Sequence, residues 1–124
     1  MKIKESIHGK VAVISPSGNL MGGSDTTDLH DHVKSLIADG IKDVVIDLGK
    51  VTWMNSSGLG SLIACMTSVK NAGGALRLSG VTDKVNSLLM ITQLIRIFDT
   101  YGTADRAVAA FQEQSGSESN TDKR

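Results

Sequence analysis

Two periods alternate along this chain, one of two residues and one near 3.6, and each change of period marks an element. Ile3 to His8 and Lys10 to Ser15 are short runs rich in β-branched residues, parted by Gly9, which predicts a hairpin. In the second run Val11 and Val13 alternate with Ala12 and Ile14, so both faces are apolar. Pro16 is expected to open a loop in which Gly18, Gly22 and Gly23 are further breakers, with Ser24 or Asp25 placed to cap a helix. From Asp25 to Asp39, Leu29, Val33, Leu36 and Ile37 recur at helical spacing until Gly40 stops the pattern. Lys42 to Leu48 carries Val44-Val45-Ile46, the continuous apolar run of a strand covered on both faces.

Leu59, Leu62, Ile63, Met66 and Val69 then form one helical stripe, ended by Ala72-Gly73-Gly74. Ala75 to Ser79 is a further strand with Leu76 and Leu78 on one face and Arg77 on the other. Strand, helix, strand over this span is a βαβ unit and makes the fold α/β. Asp83 is placed to cap a third helix bearing Val85, Leu88 and Leu89. Ile97-Phe98 reads as a weak fifth strand, and Thr103 opens a last helix with Ala107, Val108 and Phe111. Residues 1–113 are thus expected to form one domain. Residues 114–124 are nearly all polar and are expected to be a disordered tail.

Composition narrows the function. Thirteen basic residues against thirteen acidic ones leave no formal net charge, and no run of Lys and Arg suggests a nucleic-acid surface. Aromatic residues are only 3 %, so aliphatic side chains and Met must fill the core. The single cysteine, Cys65, cannot form an intramolecular disulfide and lies in the apolar stripe, which fits a buried thiol in a reducing compartment. No apolar run is long enough to span a bilayer, and the first residues lack a signal-peptide core. A cytoplasmic protein without membrane insertion is expected.

Most chemical motifs fail. Gly58-Leu59-Gly60 begins like a dinucleotide fingerprint, but Ile63 stands where the third glycine belongs. No P-loop and no nucleophile elbow are present. His30 and His32 lie about 200° apart around a helix, so they diverge. Asp28 and His32 share a face, but two ligands do not make a metal site. Asp47, at a strand end, is expected to orient the loop that follows. No catalytic residue, metal or cofactor is expected.

What remains is Asn55-Ser56-Ser57-Gly58-Leu59-Gly60, between a strand-like run and a helix. Ser56 or Ser57 can cap that helix, yet one cap explains one serine and neither glycine. A helix N-terminus tolerates an added anion, so a second serine there can carry a phosphate. Gly58 and Gly60 would let another protein approach closely. One hydroxyl caps, and the next is presented.

At this motif the chain resembles the STAS domain family, specifically the bacterial anti-sigma factor antagonists. The resemblance extends over Ser17-Gly18-Asn19-Leu20, Val44-Val45-Ile46-Asp47-Leu48, Met54-Asn55-Ser56-Ser57-Gly58-Leu59-Gly60 and Ala72-Gly73-Gly74-Ala75-Leu76-Arg77-Leu78. It implies a single α/β domain, a mixed sheet of four to five strands with helices packed against it. It also implies partner switching. The unphosphorylated protein binds a GHKL-type anti-sigma factor, a serine kinase that brings its own ATP and magnesium. The kinase phosphorylates the serine directly before the first glycine, here Ser57, and a PP2C-type phosphatase restores the binding form. Asn55, Ser56, Gly58, Leu59 and Gly60 would be the partner-facing motif, with Met21, Gly22 and Gly23 in a neighbouring loop. The family commonly has aspartate where Asn55 stands, and often an acidic residue where Met21-Gly22-Gly23 stands. Two other readings remain: a STAS adaptor or scaffold in another signalling pathway or beside a transporter, without phosphorylation, and a serine hydrolase, which needs a base near Ser57.

Overall fold

The computed structural model describes residues 2–117, with the side chains of 25, 26 and 113–117 outside that description. The strands are β1 (Lys2–His8), β2 (Val11–Leu20), β3 (Asp43–Asp47), β4 (Lys50–Met54), β5 (Ala75–Ser79) and β6 (Asp99–Tyr101). The helices are α1 (Ser24–Ala38), α2 (Ser56–Asn71), α3 (Asp83–Ile91) and α4 (Ala104–Ser117), with a short 3₁₀ turn at Leu94–Arg96.

The six strands form one mixed sheet in the order β1-β2-β3-β5-β6, with β4 also paired to β2. Among the described residues only the β1–β2 pair is antiparallel, as the hairpin predicts, and β3 and β5 are parallel neighbours on either side of the α2 crossover. The sheet is thus mixed and α/β, with one strand more than the four to five expected.

The extra strand is β4, and its position explains why the pattern hides it. β2 carries β3 beside Val11–Ile14 and then β4 beside Ser17–Leu20. The two short strands follow one another along one side of a long one, joined by Leu48-Gly49. Asp47 Oδ1 accepts a hydrogen bond from the Gly49 N–H at 3.1 Å, so this carboxylate does orient the loop after its strand. The β2–β4 register slips between Gly18 and Asn19. There Thr52 donates its hydroxyl to Asn19 Oδ1 at 3.0 Å, and the consecutive residues Thr52 and Trp53 are both exposed. Such a bulge breaks strict alternation.

Pro16 does not open a loop. It lies inside β2 opposite Ile3, in the gap between the last β3 pair, Ile14↔Ile46, and the first β4 pair, Ser17↔Lys50. A residue without an N–H is tolerated where the ladder on one side is interrupted. The last strand is also displaced from its expected place: Ile97 caps the 3₁₀ turn, Phe98 is buried, and pairing begins at Asp99.

The sheet is covered on both faces. On one, Ala12, Ile14, Val44, Ile46, Leu76 and Leu78 pack beneath Leu29, Val33 and Leu36 of α1, Leu62, Cys65 and Val69 of α2, and Val85 and Leu89 of α3. On the other, Val11, Val13 and Val45 meet Ala107, Val108 and Phe111 of α4. The run Val44-Val45-Ile46 is therefore fully buried because its members face two separate cores. Arg77 points to the α4 face, with its guanidinium carbon 4.0 Å from the Phe111 ring centroid and its Nε 3.9 Å from Asp99 Oδ2.

Helix caps differ from expectation by one residue. α1 starts at Ser24 after Gly23, with no side-chain cap, and α3 is capped by Thr82 rather than Asp83. Thr103 does cap α4, accepting from the Arg106 N–H at 3.1 Å. α4 runs to Ser117, into the segment expected to be a tail, and 118–124 lie outside the described residues.

Candidate functional site

The site follows from the sheet. Because Leu20 pairs with Met54, the ends of β2 and β4 lie side by side, and the segments leaving them run together. Met21-Gly22-Gly23 and Asn55-Ser56-Ser57, distant in sequence, become neighbours. Asn55 ties them. Its Oδ1 accepts from the Gly58 N–H at 2.9 Å, and its Nδ2 donates to the Met21 carbonyl at 3.0 Å.

Neither serine caps α2, which corrects the sequence expectation. Asn55 is the N-cap, in extended conformation, with its side chain on the third helical N–H. Ser56 and Ser57 both lie in the first turn and are exposed. Among the described residues the Ser57 hydroxyl has no hydrogen-bond partner. A helix leaves its first N–H groups without partners and gathers partial positive charge there, so the electrostatics at Ser57 favour an anion.

The glycines divide by function. Gly58 is not a clearance for a partner. A Cβ on it would overlap the Leu20 carbonyl oxygen and sit 3.0 Å from Met54 Cγ, so the bare backbone there lets α2 close onto the end of β2. Gly60 is different: a Cβ there meets nothing within 4 Å, and the residue is exposed. Gly22 takes φ +111°, and a Cβ on it would come within 3.1 Å of Ser57 Cβ. The absence of a side chain at Gly22 keeps one side of Ser57 uncrowded. Leu59 is buried and anchors the helix rather than facing a partner, whereas Met21 is 39 % exposed beside the motif.

A groove of about 280 Å³ runs between α1 and α2, with Ser57, Ser61 and Ala64 on one wall and Thr27, His30, Asp31 and Lys34 on the other. Their spacing on α1, three or four residues apart, is the one sequence signal that could have pointed to this wall. His30 Nε2 lies 2.9 Å from Ser68 Oγ, while His32 Nδ1 faces Glu5 Oε1 at 3.3 Å, so the two histidines diverge as the helical spacing requires. Ser68 is about 16 Å along the helix axis from Ser57, given 1.5 Å per residue. His30 is held at that far end, out of reach of the Ser57 hydroxyl. Beneath the groove, burial pushes the Cys65 thiol up from 9.0 to about 12, a rise only partly offset by a hydrogen bond with Ser61.

This geometry can be set beside known proteins. The STAS domain family model matches residues 2–107. The chain belongs to the STAS domain family. The anti-sigma-B factor antagonist of Staphylococcus aureus (strain NCTC 8325 / PS 47) is 28 % identical over 67 residues, which span 54 % of this chain and 62 % of that protein. The match thus covers less than two thirds of that relative's own length. An anti-sigma factor antagonist from Mycobacterium paratuberculosis superposes with a TM-score of 0.74 at 26 % identity, over 88 % of this chain and 92 % of that one. The Bacillus cell fate determinant SpoIIAA in its phosphorylated form superposes with a TM-score of 0.70 at 15 % identity, over 89 % and 99 % of the two chains.

In this STAS domain the sequence-derived site residues Asn55, Ser56, Ser57, Met21, Gly22 and Gly23 are brought together, and Gly60 lies open one turn further on. Gly58 and Leu59 belong to the helix's packing instead. Among the described residues no three His, Cys, Asp or Glu side chains gather as metal ligands, and no helix is long and apolar enough to cross a membrane.

Proposed function

We propose that this STAS domain is an anti-sigma factor antagonist switched by phosphorylation of Ser57. One observation carries the reading: Ser57 stands exposed in the first turn of α2 and is spared the capping role, which Asn55 performs. A hydroxyl in that position is free to be modified without cost to the helix. The partner is a GHKL-type anti-sigma factor kinase with its own ATP and magnesium, and it meets the surface around Ser56, Ser57, Gly60 and the Met21–Gly23 loop. A PP2C-type phosphatase reverses the modification. The names of the Staphylococcus and Mycobacterium relatives support the same role.

The physics of the switch is electrostatic. A phosphate adds about 1.5–2 negative charges and suits the helix N-terminus it sits on. The free domain therefore tolerates it. Covering that charge with a partner costs several kcal/mol unless new hydrogen bonds replace water, and each ~1.4 kcal/mol is tenfold in affinity. A loss of roughly 100- to 1000-fold in partner binding is the expected scale.

The test is mass spectrometry after incubation with ATP, magnesium and the GHKL-type kinase encoded in the same genome. One added phosphate on Ser57 is expected. Ser57→Ala should keep binding and lose the phosphate, and Ser57→Asp should bind more weakly. Failure of phosphorylation by a kinase active on another antagonist would point instead to an adaptor that binds constitutively.

A further inference from the structure

A second concave surface, whose lining does not include Ser57, lies between β4 and α3. It encloses about 410 Å³, inside the ordinary range for small-molecule sites. Trp53, Met54, Val85, Leu88 and Ile91 form its apolar walls, and Lys84 is the one titratable side chain in the lining. Trp53 is 47 % exposed and Ile91 80 % exposed, so two large apolar side chains of one groove lining are left in water. The Lys84 ammonium lies 5.3 Å from the Trp53 ring centroid. Among the described residues no carboxylate pairs with Lys84. The Trp53 ring face is the contact the structure gives its charge.

We propose that this groove binds a small anionic amphiphile, an aliphatic chain or aromatic ring carrying one carboxylate, sulfonate or phosphate. The apolar part would lie along Leu88 and Ile91 and against the Trp53 ring, and the anion would meet Lys84. Two features select this class over others. The only lining charge is positive, so a cationic ligand is disfavoured and a neutral one leaves Lys84 unused. The groove is also aromatic on one wall and aliphatic on the other, which suits a chain or a flat ring more than a polar metabolite. The site stands apart from the partner-switch reading and does not depend on Ser57.

The chain's single tryptophan makes the test direct, since every change in its emission comes from the proposed wall. Decanoate, kept below its micelle concentration, is titrated into the full chain while Trp53 fluorescence and heat are recorded. Saturable binding with a shifted emission is expected, and decanol should bind several-fold more weakly. Lys84→Glu should weaken decanoate by roughly two- to fivefold, the scale of an exposed ion pair lost. Ile91→Glu should weaken it further. Both positions are exposed, so neither variant is expected to disturb folding, and circular dichroism checks this. Absence of saturable binding overturns the proposal, as does equal decanoate affinity in wild type and Lys84→Glu. An emission that moves with protein concentration alone overturns it too, and identifies the surface as a contact between copies.

Discussion

Gly58 and Gly60 are two residues apart on one helix and have opposite reasons to exist. An added methyl at Gly58 would collide with the Leu20 backbone, which cannot move without shifting β2. Gly58→Ala is therefore expected to cost about 2–4 kcal/mol in urea unfolding, the range of severe overpacking. Gly60→Ala meets open space and removes a poor helix former, so it should stabilise by about 0.5–1 kcal/mol. If Gly60 leaves room for a partner's backbone, the same variant will bind that partner more weakly although it is more stable. Improved stability with unchanged binding would remove Gly60 from the interface. Asn55 makes a comparable point. Aspartate could still cap Gly58, but it cannot donate to the Met21 carbonyl and would set a carboxylate against it. Asn55→Asp should cost about 0.5–1 kcal/mol, the scale of one hydrogen bond lost at an exposed carbonyl that water can reach. Faster amide exchange at Gly22 and Gly23 would accompany it, and unchanged exchange there would show that the tie to Met21 is unimportant.

The elements matter through where they end. β2 is ten residues long because two successive strands lie along one side of it, and its far end delivers Met21-Gly22 to the start of α2. Without β4 the two halves of the candidate site would not meet. α4 instead closes the opposite face of the sheet with Ala107, Val108 and Phe111. Phe111 is 5 % exposed and also covers the Arg77 guanidinium. Phe111→Ala is expected to lower stability by about 3–5 kcal/mol, from the lost aromatic packing. Partner binding at the α2 end should be little changed in the fraction that stays folded, because α4 lies on the other face.

At the scale of the molecule, one sheet separates a large core under α1, α2 and α3 from a smaller one under α4. The candidate partner surface stands at the edge of the larger core, so its geometry is only as firm as that core. Cys65 reports on it. The thiol is fully buried, and its pKa is raised to about 12 by desolvation. Labelling by a thiol reagent near neutral pH is expected to be slower by roughly a hundredfold or more in the native protein than in urea, and to track global unfolding. Fast native labelling would mean that α2 opens locally. The same group sets an alkaline limit. Its folded pKa exceeds the unfolded value, so for this acid the neutral thiol is the form the fold prefers. Its contribution to stability is complete below about 9 and is lost as pH rises from there through about 12.

The sequence determined what short-range periodicity can encode. The hairpin, the buried run Val44-Val45-Ile46, the α2 stripe and the opposed faces of Leu76, Arg77 and Leu78 all follow from which side of an element must be apolar. The Asn55–Gly60 stretch stood out as a candidate site because two serines and two glycines exceed what a helix start needs. Tertiary structure decided what depends on distant neighbours. β4 is hidden by a bulge and by pairing with residues more than thirty positions away. Three adjacent polar residues could each cap α2, and the close approach of Gly58 to the Leu20 carbonyl fixes where the helix starts, which hands the cap to Asn55. The roles of Gly58 and Gly60 look alike in sequence and differ only because one faces a backbone and the other faces water.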